Sequence, residues 1–277
     1  MTAPMLSIRD LSIRFGDDTC ARPAVQGFSL DVSKGECVAI VGESGSGKSQ
    51  TFLAALGLTS SAAKVTGSIM FDGQELVGAG EACLRALRAS RISMIFQNAS
   101  SGLAGHLTIG RQLTEVLEAH GQEAGSAAHR RALEMLEAVR LRSPHIVIEQ
   151  YPAQLSGGMN QRVMIAMALI ARPELIIADE PTTALDVTIQ AEVLSILKEL
   201  QAEQGAGLVF ISHDLAVVSR IADRIGVMKD GVLVELGEAR QVIEAPSHAY
   251  TRTLLAAVPR MGDEGAGMGD QRDTAQT

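Results

Sequence analysis

Eight consecutive residues, Gly42, Glu43, Ser44, Gly45, Ser46, Gly47, Lys48 and Ser49, fill every fixed position of the pattern G-x-x-x-x-G-K-[ST]. The glycines let the backbone turn its N–H groups inward around phosphate oxygens, and the helix that opens at Gln50 adds the partial positive charge of its N-terminus. Lys48 has the reach for β- and γ-phosphates, and the Ser49 hydroxyl suits a place in the shell of Mg²⁺. Farther along, the apolar run of residues 175–178 ends in Asp179 and Glu180. Two carboxylates there can divide the work, Asp179 holding Mg²⁺ through water and Glu180 polarising a water for attack on a γ-phosphate. Paired acids at a strand end are often only solvated; the phosphate loop is what turns this pair toward phosphate chemistry. Binding of ATP or GTP is the expectation these residues set.

Further candidates stand at element ends. Phe15 closes a strand ahead of the phosphate loop, where its ring could stack on a base or equally belong to the core. Gln97 ends a second strand. Ser156, followed by Gly157 and Gly158, reads as the N-cap of an apolar helix over residues 163–171, with open backbone N–H groups that suit an anion. His213 follows the apolar strand of residues 208–211, at the end where a parallel sheet opens on its ligand.

The elements that must carry these residues alternate strand and helix. Residues 5–15 read as a strand (Leu6, Ile8, then Leu11, Ile13, Phe15), and residues 24–32 as its hairpin-like partner. Residues 37–41 form a buried strand that delivers the phosphate loop. A short strand at 67–72 ends in the turn signal Asp72, Gly73, a helix covers 81–89, and a strand covers 91–96. From residue 98 to 172 the periodicity turns helical (Leu113, Val116, Leu117; Leu133, Leu136, Val139), which predicts an inserted helical lobe. An amphipathic helix spans 187–204, a hairpin turns at Asp230 and Gly231, and two short helices run to about 258. From 261 to 277 the chain is predicted to be a disordered tail, rich in Gly, Asp and Gln.

Composition narrows the class. A net charge of -8 argues against a broad electrostatic hold on nucleic acid or anionic lipid. No run approaches the ~18 apolar residues of a membrane helix, and Arg9 and Asp10 interrupt the N-terminus before an export signal could form. A soluble protein of the cytoplasm is expected. Cys20, Cys37 and Cys83 suit neither a disulfide framework nor a metal cluster, and the histidines at 106, 120, 129 and 145 lack metal-ligand spacing.

The phosphate loop, Gln97, Leu155-Ser156-Gly157-Gly158, Asp179-Glu180, Ala184-Leu185-Asp186 and Ser212-His213-Asp214 come in the order and approximate spacing of the ATP-binding cassette (ABC) ATPases, which the chain resembles from residue 5 to about 260. The resemblance implies an α/β fold: a P-loop NTPase core with a parallel central sheet, an N-terminal antiparallel β-subdomain and an inserted α-helical subdomain. It implies a head-to-tail dimer with a second ATPase subunit, copy or paralogue, each ATP lying between one subunit's phosphate loop and the other's Ser-Gly-Gly turn. Lys48 and Ser49 would then bind phosphate and Mg²⁺, with Asp179 assisting the metal and Gln97 approaching both metal and attacking water. Glu180 would be the general base, His213 would contact the γ-phosphate, Ser156 and Gly158 would act in trans, and Asp186 would line the seam.

More narrowly, the stretches at 42–51, 156–162, 178–186 and His248-Ala249-Tyr250-Thr251 look like the peptide and nickel importers of bacteria. That branch implies two transmembrane permease subunits, an extracytoplasmic substrate-binding protein, and a peripheral place on the cytoplasmic face of the cell membrane. The lack of any cysteine after Cys83 leans toward the shorter nickel or metallophore type without excluding di- and oligopeptides as cargo, and Asn98 to Ser101 depart from the Gln-Asp-Pro often seen there. Two other classes share parts of the pattern. DNA-repair ATPases of the cassette type separate these motifs with long coiled coils, absent here, and a small-molecule kinase has no use for the Ser-Gly-Gly turn.

Overall fold

A computed structural model of the chain describes residues 3–16, 22–97, 102–182 and 187–257, with the backbone alone at Val187. Strand β1 (Leu6–Phe15) pairs antiparallel with β2 (Val25–Val32). The phase change along β1 is a bulge: Asp10 takes a φ of 48°, and the β1–β2 register slips between Ile8 and Leu11. Leu6, Ile8, Leu11 and Ile13 are thereby all buried, whereas Phe15 is 40% exposed, outside the core. On its other edge β1 takes β4 (Ala63–Phe71), which turns through Asp72 and Gly73 into β5 (Gln74–Glu75). β4 begins four residues before the expected strand because its first half pairs with Ile13 to Phe15 across the bulge, where local alternation is weak.

The second sheet has the order β10-β9-β3-β8-β7-β6. Strands β3 (Cys37–Val41), β6 (Ile92–Ile95), β7 (Leu175–Asp179), β8 (Gly207–Ser212) and β9 (Arg224–Lys229) are mutually parallel, and β10 (Val232–Glu238) returns antiparallel on β9. The middle strands are apolar throughout because both faces are covered. Val38, Ile40, Leu175, Ile177, Val209 and Ile211 pack with the antiparallel sheet and helix α1 (Lys48–Ala55), where Phe28 and Phe52 meet edge to face at 6.1 Å. Ala39, Val41, Ile176, Ala178, Leu208 and Phe210 face the helices on the opposite side.

After α2 (Glu81–Leu87), the chain between β6 and β7 holds α3 (Ile109–Ala119), α4 (Gly125–Ala138), α5 (Pro144–Val147) and α6 (Gly157–Leu169) among the described residues. Leu113, Leu117, Ala132, Leu136 and Val139 join α3 and α4 to α6 in one cluster that continues onto the sheet. Helix α6 starts at Gly157, six residues before its apolar run, because the Ser156 hydroxyl accepts the Met159 N–H and caps it there. Helix α7 (Val187–Gln204) covers the same face through Val193, Ile196, Leu197 and Leu200. The short α8 (Leu215–Val218), α9 (Ala239–Glu244) and α10 (Ala249–Ala256) are the later helices among the described residues. The expected α/β class, with a parallel central sheet, an antiparallel N-terminal sheet and helices inserted before β7, is the one observed. The predicted disordered tail at 261–277 and Asn98 to Ser101 lie outside the described residues.

Candidate active site

Parallel strands point their carboxyl ends the same way, so the order β3-β8-β7-β6 brings the phosphate loop, His213, Asp179 with Glu180, and Gln97 to one edge. Val41 pairs with Ser212 and Asp179 with Ile211, so the loops leave the sheet at one level. The loop itself depends on two glycines that touch neighbouring backbone. A Cβ on Gly42 would stand 2.2 Å from the Met228 carbonyl oxygen, and one on Gly47, at φ 94°, would stand 2.3 Å from that of Ala24.

Lys48 is 5% exposed, and its ammonium donates to the carbonyls of Gly42 (2.8 Å) and Glu43 (2.9 Å). Burial lowers its pKa, against the opposing pull of Glu180, Asp179 and Glu43. The Ser49 hydroxyl donates to Asp179 Oδ1 at 2.9 Å, so two oxygens predicted to serve a metal already meet. Burial raises the Asp179 pKa; the Ser49 bond opposes this, Glu180 adds to it, and Lys48 opposes it. Glu180 stands at φ 47° just past the strand, a left-handed position that costs a non-glycine residue about 1–3 kcal/mol. That turn aims its Oε2 at Gln97 Nε2 (3.0 Å) and places it 3.3 Å from His213 Nδ1.

A pocket of about 730 Å³ is lined by Gly42 through Gln50, Gln97, Glu180 and His213, together with Ala24 and Leu254. Its lining combines cationic, hydroxyl and backbone donors with a carboxylate held between an amide and an imidazole. Such an arrangement can bind a polyphosphate and take a proton from a water beside it. The four histidines at 106, 120, 129 and 145 join no metal-binding group among the described residues, and Cys37 is a buried free thiol whose pKa burial pushes up to about 12. Cys20 lies outside the described residues.

Ser156, Gly157 and Gly158 are not part of this pocket's lining; Ser156 and Gly157 are exposed, open to a neighbouring molecule. Phe15 is exposed as well and does not line the pocket. Asp186 lies outside the described residues. Sequence reasoning gave no role to α10, which nevertheless reaches the site. Tyr250 Oη accepts the Glu43 N–H at 3.3 Å, and Leu254, one turn on, lines the pocket. The run from His248 to Thr251 was the only signal available, and it carries no local chemistry that points at a phosphate loop.

The sequence model described as ABC transporter matches residues 25–183, and that described as oligopeptide/dipeptide transporter, C-terminal region, matches residues 234–276. The chain is 49% identical over 261 residues to the peptidoglycan transport ATP-binding protein YejF of Agrobacterium fabrum, covering 94% of this chain and 48% of that protein. It is 44% identical over 264 residues to the oligopeptide transport ATP-binding protein OppD of Salmonella typhimurium, covering 95% of this chain and 79% of that protein. Among solved structures, a dimeric bacterial ABC transporter cassette superposes with a TM-score of 0.76 at 31% identity, over 85% of this chain and 99% of that one. A dimeric post-hydrolysis state of an ATP-binding cassette, bound to ADP and Pi, superposes with a TM-score of 0.75 at 30% identity, over 85% and 99%. The lean toward nickel drawn from the missing cysteines finds no specific support, since the C-terminal match is to the oligopeptide/dipeptide group. The order of the sheet, the phosphate loop with its facing carboxylates, and these matches lead to one assignment: the chain belongs to the ABC transporter family, as an ATPase subunit of its oligopeptide and dipeptide group.

Proposed function

We propose that this chain binds and hydrolyses MgATP at the pocket beside Lys48, and that hydrolysis drives uptake of oligopeptides or dipeptides through two partner membrane subunits. One observation carries the reading: the Glu180 carboxylate, in the lining of the phosphate pocket, held beside Gln97 and His213. From there it accepts a proton from the attacking water while the bond between the γ-phosphorus and the β,γ-bridging oxygen breaks, leaving ADP and phosphate. Lys48 leaves its own loop carbonyls for phosphate oxygens, and His213 steadies the γ-phosphate.

The residues present fit Mg²⁺. No cage of three or more His, Cys, Asp or Glu exists among the described residues, whereas the hard oxygens of Ser49 and Asp179 suit a cation that keeps much of its water. Ser49 and Asp179 would hold Mg²⁺ directly or through water, with Gln97 nearby, and the ion would supply positive charge against the phosphates.

The exposed Ser156 turn supports a head-to-tail dimer in which Ser156 and Gly158 of each subunit close over the other's ATP, with Asp186 at the seam. The dimeric form of the similar cassettes agrees with this. A cleft of about 210 Å³ beside Gln97, with Leu58 (42% exposed), Phe96 (40% exposed), Val116 and Met167 in its lining, offers an apolar seat for a membrane partner. No helix among the described residues is long and apolar enough to cross a membrane, which agrees with a peripheral place on its cytoplasmic face. An extracytoplasmic binding protein would select the cargo.

The test is Glu180→Gln in the assembled transporter. Turnover should fall about 100- to 10,000-fold while ATP affinity is nearly kept, because the amide accepts no proton yet fills the same space. An unchanged rate would remove Glu180 from its role, and peptide uptake that continues at full rate in the variant would uncouple this chain from transport.

A further inference from the structure

The peptide unit joining Gly42 to Glu43 is gripped at both ends. Its carbonyl accepts from the Lys48 ammonium at 2.8 Å, and its N–H donates to the Tyr250 hydroxyl at 3.3 Å, across 207 residues of chain. Tyr250 is itself fixed from several sides. It is 7% exposed, and the Lys229 ammonium sits 4.8 Å from its ring centroid. Its helix is tied down at the first turn by Glu235, whose carboxylate accepts from Ser247 N and Oγ (2.7 Å each), His248 N (3.1 Å) and Thr251 Oγ1. An aromatic hydroxyl buried so well, facing the Glu43 N–H and the Glu43 side chain, has a cost unless its bonds to the loop are made.

We infer that Tyr250 is a positioning residue of the ATP site: it sets the plane of the Gly42–Glu43 peptide and, through the Gly42 carbonyl, the resting place of the Lys48 ammonium. The inference rests on ATP as the ligand of the loop and goes beyond the assignment of the phosphate loop alone, since it makes helix α10 part of the nucleotide pocket. Undocking of α10 loosens the loop, and a docked α10 presents Lys48 ready for phosphate. Physically, Tyr250 lowers the ordering cost of nucleotide binding rather than touching the reacting atoms.

The experiment uses the full chain and a fluorescent N-methylanthraniloyl ATP as probe. Tyr250→Phe keeps the ring and its contact with Lys229 but removes the acceptor. A typical hydrogen bond corresponds to a factor of about five, so the dissociation constant should rise about three- to tenfold, with KM for ATP rising more than kcat falls. In a Lys48→Ala background the same change should have little further effect, because Tyr250 acts through Lys48. Amide hydrogen exchange in residues 42–48 of Tyr250→Phe should speed up even where the two proteins melt alike. Wild-type binding with an unchanged dissociation constant in Tyr250→Phe, full additivity with Lys48→Ala, or unchanged exchange overturns the inference alone. A wild type that fails to bind the probe overturns both it and the ATP assignment.

Discussion

Glu235 offers a quantitative test of how α10 is held. Its carboxyl lies partly buried on β10, and burial alone would raise its pKa; the bonds from Thr251 and Ser247 and from the Ser247 and His248 N–H groups reverse this and bring it down to about 2 from 4.5. A group depressed on folding contributes stability that is fully present above 4.5 and is lost as pH falls through about 2. The titration difference alone corresponds to about 3 kcal/mol, and screening at a site in contact with solvent reduces this to about 1–2 kcal/mol. Replacing Glu235 by Gln removes the charge and turns an amide NH₂ toward donors that previously met a carboxylate oxygen, so docking of α10 should weaken by that amount at pH 7. Urea unfolding and limited proteolysis near residue 247, followed from pH 7 to pH 3, measure it. The gap between wild type and Glu235→Gln should hold at pH 7 and 5 and shrink steadily below 4.5. A gap of the same size at pH 3, or none at pH 7, would refute the idea that these hydrogen bonds to an ionised carboxylate hold the helix.

Two further outcomes follow from the site. The Asp179 pKa is raised chiefly by burial, so its charge costs the nucleotide-free fold stability above its folded pKa, and that cost disappears below the ordinary 3.8. Asp179→Asn, which still accepts from Ser49, should raise the nucleotide-free melting temperature at pH 7 and reduce the extra stabilisation that MgATP gives; a lower midpoint with the MgATP shift intact would contradict this. Phe15 is exposed at the end of β1, outside the core and outside the pocket lining, and we propose that its ring stacks on a base extending beyond that pocket. Phe15→Ala should raise KM for ATP about five- to a hundredfold, on a stacking energy of about 1–3 kcal/mol, and leave inhibition by tripolyphosphate unchanged; an unaltered KM for ATP would remove the ring from the site.

The sequence by itself determined the parts whose chemistry is contiguous. The loop from Gly42 to Ser49 and the pair Asp179, Glu180 are legible because glycine freedom, a helix start and an apolar strand must all occur within a few residues to make them. The buried strands β3, β7 and β8 were equally plain, since a strand covered on both faces admits only apolar side chains. Boundaries were read less well where pairing overrules alternation, as in β4, or where a cap extends a helix, as at Ser156. What only the tertiary structure decided is which distant residues meet: Gln97 and His213 at Glu180, Ser49 at Asp179, and Tyr250 at Glu43. Strand order and the docking of α10 settle those meetings, and both arise from long-range packing, in which a residue's partner is set by the sum of many side-chain contacts rather than by its neighbours along the chain.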